Sequence, residues 1–137
     1  MTRRIDREGP IHRAIVSWLR LVLPQAVTAT VKNEINKGGL QFRIEQARAT
    51  ANGVVTGFPD VICLPGVEFP TMLFEVKADG NYPSKAQKAV HARLAALGYR
   101  VAVVRSIDDV RACLADWGVP TQEAGSIVHL PVKGVVR

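Results

Sequence analysis

The sequence lacks any apolar run long enough to span a bilayer. Its longest apolar stretch near the N-terminus, AIVSWLRLVL, is interrupted by Arg20 and is about half of the roughly 20 residues that a spanning helix needs. A signal peptide, with its uncharged core and small-residue cleavage site, is also missing. We therefore expect a soluble protein of the cytoplasm.

Cysteine is scarce, and repeats and low-complexity runs are absent. Cys63 in a predicted strand and Cys113 in a predicted helix form neither a metal-binding motif nor a disulfide framework, so we expect small core residues. The 137 residues, 47% of them hydrophobic, fit one ordinary domain. The composition excludes disordered, solenoid and disulfide-stapled classes.

Acidic residues are fewer than basic residues. Lys and Arg number 18 against 12 Asp and Glu, which gives a net charge of +6. This excess favours an anionic partner, of which nucleic acid is the commonest. It is moderate, however, and many basic proteins bind no nucleic acid, so charge alone leaves the partner open.

Helical spacing marks the first part of the chain. Ile11, Ile15 and Leu19 recur at intervals of four, and Pro24 stops this helix, which begins near Glu8. The alternating β-branched run AVTATVKNE predicts a first strand, and LQFRIEQARATA returns to helical spacing over residues 40–51. We predict a helix, a strand and a shorter helix here.

The second part of the chain, from residue 60 onward, predicts a hairpin whose second strand is followed by a helix and a further strand. DVICL at 60–64 and TMLFEVK at 71–77 flank the turn PGVEFP. Ser84 and Gln87 have the S-x-x-Q spacing of a capping box, and Gly98 closes the helix they begin. The apolar run at 100–105 predicts a buried strand. Residues 106–118 predict a last helix with the Ser106 and Asp109 capping signature.

Residues 1–118 hold all of these elements, and we predict that they form the domain. The remainder, 119–137, carries short apolar pieces and no recognisable chemistry. It is interpreted as an extra edge strand or an interface arm of the same domain.

Three ionisable residues stand in the apolar hairpin. If its turn is centred between Val67 and Glu68, antiparallel pairing sets Asp60 opposite Glu75, with Cβ atoms on the order of 5 Å apart. Lys77 projects from the same face as Glu75 because side chains alternate along a strand. Opposed carboxylates repel unless a cation neutralises them, and hard oxygen ligands suit Mg²⁺. These groups suffice for metal-assisted phosphodiester hydrolysis.

The alternative is structural. Asp60 would then cap the Gly-Phe-Pro turn, and Glu75 and Lys77 would be surface charges on an exposed strand face. A register slip of one residue would separate the carboxylates, so the spacing alone leaves both interpretations open.

The run GFPDVICL followed by LFEVKADGNYPSKAQ resembles the G-x-P-D, E-V-K and S-x-x-Q series of the VRR-NUC family. This is a branch of the PD-(D/E)XK nuclease superfamily found in phage and bacterial replication and repair proteins. The resemblance continues through LAALGYRVAVVRSIDDVRACLADWG and covers residues 8–118. It implies an α/β fold with a restriction-endonuclease-like core, a small mixed sheet flanked by helices in the order α-β-β-β-α-β-α.

The resemblance also implies roles for single residues. Asp60 and Glu75 become metal ligands, Val76 a ligand through its carbonyl group, and Lys77 the catalytic lysine. Gln87 matches a glutamine near the active centre, although a capping glutamine explains it equally well.

An acidic residue in the family's first helix corresponds to Glu8, within EGPIHRAIVSWL. His12 stands where glutamine is more usual, and Asp6 is the alternative ligand. None of the three histidines has the clustered spacing of a zinc site, so His12, His91 and His129 are expected on helix faces or the surface.

Basic residues surround the loop before the hairpin. They either bind DNA phosphates or form a solvated basic face; they are Lys32, Lys37, Arg43 and Arg48. In the same loop, Lys32 replaces a proline of related sequences, and Asn33 and Glu34 either face the site or stay in solvent.

The leading hypothesis is a Mg²⁺- or Mn²⁺-dependent DNA endonuclease selective for junctions, flaps or branches. It would act as a homodimer, since twofold dimers are the commonest oligomers, in a bacterium or phage-infected host. The alternative is a DNA-binding subunit that recruits replication or repair partners without significant cleavage. A third reading is an α/β interaction domain that binds no nucleic acid.

Overall fold

A computed structural model describes residues 5–31, 39–123 and 126–127. Four strands form one mixed sheet in the order β1-β2-β3-β4, and four helices flank it. The elements are α1 (Glu8–Val22), β1 (Val27–Thr30), α2 (Gly39–Ala51), β2 (Val61–Leu64), β3 (Met72–Val76), α3 (Lys85–Ala96), β4 (Arg100–Val104) and α4 (Ile107–Asp116). The α/β class and the mixed sheet are as predicted.

The core order α-β-β-β-α-β-α is confirmed, with α2 inserted between β1 and β2 where the spacing predicts a helix. Leu40 and Ile44 on α2 are exposed. The predicted helix therefore exists, but these two apolar residues do not join the core.

The hairpin register is the one that the turn predicts. Strand β2 pairs antiparallel with β3, and Val61 lies opposite Phe74 and Cys63 opposite Met72. Continuing this register by one residue sets Asp60 opposite Glu75. The turn supplies the register because its two prolines and a glycine end one strand and begin the next.

The two faces of the sheet differ. Met72, Phe74 and Val76 pack into the main core with Ile15 and Leu19 of α1. The same core includes Val110 and Leu114 of α4, so this face is a closed apolar layer. Because side chains alternate along β3, Leu73, Glu75 and Lys77 lie on the opposite face, with α3. The ionisable residues are thus kept apart from the apolar core.

Strand β4 pairs parallel with β3 and is an edge strand of the four-stranded sheet. Of its five residues only Val104 is buried, while Arg100 is exposed and the three between are half-buried. The prediction of a buried strand is therefore wrong. Apolar composition predicted burial, but position in the sheet decides it, and an edge strand has a neighbour on one side only.

Within the residues described after Gly118, the chain forms a short ladder of β5 (Gln122–Glu123) with β6 (Ser126–Ile127). Arg111 of α4 donates to Glu123 at 3.0 Å, which ties this ladder to the domain. Val119 is buried in the core. In the described part of the chain, no helix is long and apolar enough to cross a membrane.

Candidate active site

Asp60 is held at the start of β2 by hydrogen bonds of its main chain and its side chain. Its carbonyl group accepts from the Val31 amide at 2.8 Å, and its Oδ2 accepts from the Val76 amide at 2.8 Å. The second bond joins β2 to β3 at the point where the regular pairing ends. Asp60 therefore faces the end of β3, as the register predicts.

Gly57 explains the turn that precedes Asp60. Its φ of +90° suits glycine, and a Cβ atom there would lie 2.6 Å from the main-chain carbon and oxygen of Ala86 in α3. Only glycine lets the turn approach the helix this closely. Pro59, which follows, is fully buried. The G-x-P-D run thus packs the turn bearing Asp60 against the first turn of α3.

Glu75 is 1% exposed and is the most deeply buried acidic or basic residue among the described residues. Burial is the main reason that its pKa is raised to about 9, and the hydrogen bond and negative charge of Asp60 raise this pKa further, against the charge of Lys77. In the metal-free protein its carboxyl group therefore holds a proton at neutral pH. The alternative of an exposed surface charge is wrong for this residue.

Lys77 lies next to Glu75, with 4.0 Å between Nζ and Oε2. Its side chain is 14% exposed, so most of it is covered. The Lys77 amide donates to the Val104 carbonyl group at 3.0 Å, which extends the β3–β4 pairing by one residue. Asp60, Glu75 and Lys77 are therefore brought together at one end of the sheet.

Glu8 begins α1 and reaches the loop after β3. Its Oε2 accepts from the Asn81 side chain at 2.9 Å and from the Ala78 amide at 3.2 Å. Partial burial raises the pKa of Glu8, but these two hydrogen bonds and the charge of Lys77 outweigh burial, so the pKa lies below its ordinary value. Glu8 thus adds negative charge beside Lys77, and its role as a metal ligand stays a prediction.

Asp6, the alternative acidic residue, accepts from the Gly9 amide at 2.8 Å through Oδ1. This bond belongs to the start of α1, where amide groups lack helical partners. His12, one turn after Glu8, lies within 2.9 Å of the Thr30 hydroxyl group through Nε2.

Gln87 completes the predicted capping box. Its Oε1 accepts from the Ser84 amide at 2.8 Å, and its amide donates to the Ser84 hydroxyl group at 3.2 Å. The side chain that the resemblance places near the active centre is therefore engaged in starting α3.

His91 is the site residue that the sequence interpretation missed. It lies one turn after Gln87 on α3, and its Nε2 is 3.3 Å from Oε1 of Glu75. Its side chain is 13% exposed, and its pKa is lowered by burial and by the charge of Lys77, against the effect of Asp60. The i, i+4 spacing from Gln87 was the available signal, because it puts both residues on one face of the helix.

The main chain of Val76 also faces the site. Its amide donates to Asp60, and in an extended strand the amide and carbonyl group of one residue point to the same side. The Val76 carbonyl group therefore points past the end of β2, where the resemblance requires a ligand.

The basic residues of the predicted DNA-binding set are dispersed or lie outside the described residues. Arg43 and Arg48 are exposed on α2. Lys32 and Lys37 fall outside the described ranges, as do Asn33, Glu34 and His129. DNA binding by these residues stays a prediction.

A second surface, the loop after β3, combines an aromatic ring with a cation. Tyr82 is 75% exposed, and the guanidinium carbon of Arg105 lies 5.4 Å from its ring centroid. Arg105 also donates to the Asn81 carbonyl group at 2.7 Å. Since the Asn81 side chain holds Glu8, this ring is connected to the site through one residue.

The donor set suits a small hard cation. The half-buried Asp60 interacts with the buried Glu75 carboxyl group, whose pKa is raised mainly by burial and further by Asp60. Among the residues that the structure describes, no group of three or more His, Cys, Asp or Glu side chains could hold a metal ion. Two carboxyl groups are a number that Mg²⁺ commonly takes from a protein, with water and substrate oxygen atoms completing its coordination.

Comparisons with known proteins give one consistent result. The family model of the VRR-NUC domain matches residues 4–108. A solved structure described as a VRR_NUC domain protein superposes with a TM-score of 0.55 at 23% identity, covering 84% of this chain and 90% of its own. A second, described as a VRR_NUC domain, has a TM-score of 0.53 at 20% identity and covers 82% and 97%. A search of curated protein sequences finds no significant match.

Proposed function

Because the chain belongs to the VRR-NUC domain family, whose fold is of the PD-(D/E)XK nuclease type, we propose that it is a divalent-metal-dependent DNA endonuclease. The observation that carries the proposal is the buried Glu75 carboxyl group, with Asp60 opposite it and the Lys77 ammonium group 4.0 Å away. This arrangement does not stabilise the hairpin, because burying one carboxyl group beside a second one costs free energy.

Asp60, Glu75 and the Val76 carbonyl group would hold the metal ion. When bound, Mg²⁺ or Mn²⁺ supplies Lewis-acid polarisation of a phosphoryl oxygen and lowers the pKa of water. Glu75 would bind the cation as a carboxylate and would release to solvent the proton that it holds in the metal-free protein.

The protein's own residues supply positioning and charge. Hydrolysis forms a bond from water oxygen to phosphorus and breaks one phosphorus–oxygen bond of the DNA backbone, so that the leaving oxygen takes up a proton. Lys77, beside Glu75, would place a positive charge next to the scissile phosphate and stabilise the charge that develops there. The negative charge of Glu8 attracts this lysine, and Asn81 holds Glu8 through a hydrogen bond.

Cleavage of labelled linear and branched DNA tests the proposal. We expect cutting with Mg²⁺ or Mn²⁺, loss of cutting with chelator, and a reduction of at least about a hundredfold in Lys77→Ala, comparable to removing a group that stabilises transition-state charge. Lys88→Ala, which removes an exposed lysine of α3, is the control and keeps wild-type activity. Equal cutting by Lys77→Ala and wild type would contradict the role of that lysine.

We further propose that the substrate contains unpaired nucleotides, as junctions, flaps and branches do. Tyr82 presents an open ring face beside the site, and Arg105 adds positive charge there. Exposed aromatic rings next to cations stack unpaired bases, whereas bases within a duplex are already stacked. The ring thus supports selection by DNA structure rather than by base sequence.

A twofold homodimer completes the proposal, because two symmetric strands of a junction require two sites and twofold dimers are the commonest oligomers. Light scattering at working concentration should give twice the 14.9 kDa mass of the chain. A single-chain mass with and without DNA would contradict it.

A further inference from the structure

We propose that His91 is a positioning residue for Glu75, and that it holds the Glu75 carboxylate in the orientation that binds the metal ion. The proposal rests on the metal site proposed above. It goes beyond that site because it assigns a role to a helix residue that neither the motif series nor the family match singles out.

The geometry separates the two oxygen atoms of Glu75. His91 Nε2 lies 3.3 Å from Oε1, while Lys77 Nζ lies 4.0 Å from Oε2. When Glu75 is ionised, an Nε2–H group of His91 donates to Oε1, and the carboxylate plane is then fixed. Oε2 is left on the side of Lys77.

Burial limits the donors that can reach Oε1 of Glu75. Glu75 is 1% exposed and the His91 side chain 13%, so water has little access to Oε1. A buried carboxylate oxygen without a donor costs free energy, and His91 is the side-chain N–H donor found within hydrogen-bond distance of it among the described residues. Without this donor the carboxylate would be free to rotate.

His91 is itself placed by the first turn of α3. The capping box of Ser84 and Gln87 starts the helix, and His91 follows Gln87 by one turn. The first turn of α3 packs through the Ala86 main chain against Gly57, which belongs to the loop that carries Asp60. Helix α3 therefore positions both carboxylates, Asp60 through main-chain packing and Glu75 through His91.

A direct metal-ligand role for His91 agrees less well with the structure. The described residues contain no cluster of three His, Cys, Asp or Glu side chains that could hold an ion. His91 approaches the far oxygen of Glu75 and so stands behind the carboxylate. Hydrogen-bond partners of metal ligands that stand in this position typically change metal affinity or activity by 10- to 100-fold when mutated.

Three substitutions separate positioning from packing. His91→Leu removes the donor, and His91→Asn keeps a polar group that is too short to reach Oε1. His91→Gln places an amide N–H group where Nε2 was and should restore the contact. Ala92→Leu adds a leucine at an exposed position of the same helix and is the control.

Direct Mn²⁺ binding, followed by calorimetry or by electron paramagnetic resonance without DNA, is the main readout. We expect affinity about 10- to 100-fold weaker in His91→Leu and His91→Asn, and near wild type in His91→Gln and Ala92→Leu. Thermal unfolding in chelator should change little in His91→Asn, so that lost binding is separated from lost folding.

The outcomes are distinct. Wild-type Mn²⁺ affinity in both His91→Leu and His91→Asn would overturn the positioning role and leave the nuclease proposal intact. Equal weakening in His91→Gln would also overturn it, because the donor would not matter. If the wild-type protein bound no Mn²⁺, both proposals would fail. Should His91→Leu not fold, the contrast of Asn with Gln decides the question.

Discussion

Strand β3 contributes side chains to both faces of the sheet, and the two faces differ in whether those buried side chains are apolar or ionisable. Phe74 points to the α1 and α4 side, where its ring lies 5.7 Å from that of Trp117 within a closed apolar core. Glu75, the next residue, points to the α3 side and meets Asp60, Lys77 and His91. Both residues are buried, yet one stabilises the fold and the other costs stability.

The contrast extends to the helices. Helix α1 buries Ile15, Val16, Leu19 and Val22, whereas α3 buries no residue. The stability of the domain therefore comes mainly from the face of the sheet covered by α1 and α4. The free energy gained there offsets the cost of burying Glu75 on the other face. Natural proteins commonly place such local costs at functional sites.

Phe74→Ala should show the largest effect on folding. Removing a fully buried phenylalanine ring costs about 3–5 kcal/mol of unfolding free energy, through lost burial and the cavity that remains. Chemical denaturation in chelator measures this loss. Stability close to wild type would contradict the assignment of the main core to this face.

Glu75→Gln should lower cleavage and leave stability intact, the reverse of a substitution in the apolar core. The shape is kept while the charge is lost, so we expect cleavage to fall by about a hundredfold or more, since a bound metal ion supplies several kcal/mol of transition-state stabilisation. Stability of the metal-free protein should not fall, because a buried ionisable group is removed. Paired cleavage and denaturation measurements on this variant and Phe74→Ala separate the two faces; matching profiles would refute the comparison.

The pH dependence of stability provides a third test. In the metal-free folded state the pKa of Glu75 is about 9, against an ordinary value of 4.5. Below pH 4.5 both states hold the proton. As pH rises from 4.5 to 9 only the unfolded state releases it, so the contribution of Glu75 to stability falls, by at most about 1.4 kcal/mol per pH unit.

Denaturation of wild type and Glu75→Gln in chelator across this range isolates the contribution. The difference in unfolding free energy should widen in favour of Glu75→Gln as pH rises, and level off above pH 9. A difference that stayed constant with pH would show that Glu75 ionises normally in the fold.

Tyr82→Ala should have the smallest effect, and it should depend on the substrate. Loss of one stacked base lowers affinity by about 1–3 kcal/mol for DNA with unpaired nucleotides, and leaves affinity for a fully paired duplex unchanged. Fluorescence anisotropy in chelator measures both, with Tyr82→Phe as the control that keeps the ring. An equal loss on both DNAs would contradict the stacking role.

Much of the site was predictable because its parts are local. The two-residue interval from Glu75 to Lys77 places both on one face of a strand, and the hairpin turn pairs Asp60 with Glu75. The capping box of Ser84 and Gln87 is a signal within one turn of helix and is present as expected.

His91 and Asn81 were not predictable in the same way. His91 meets Glu75 across 16 residues of chain, and Asn81 meets Glu8 across 73. Neither pair forms a spacing motif, because the contact depends on how a helix docks on the sheet. The edge position of β4 belongs here too, since an apolar strand can lie at the centre or at the edge of a sheet.

The sequence alone determined the elements, the hairpin register and the convergence of two carboxylates with a lysine, because periodicity, turns and caps act over a few residues. Only the tertiary structure decided that Glu75 is almost fully buried, that His91 stands behind it and that Asn81 holds Glu8. Burial and long-range hydrogen bonds arise when separate elements pack together, and the ionisation of the site follows from that packing.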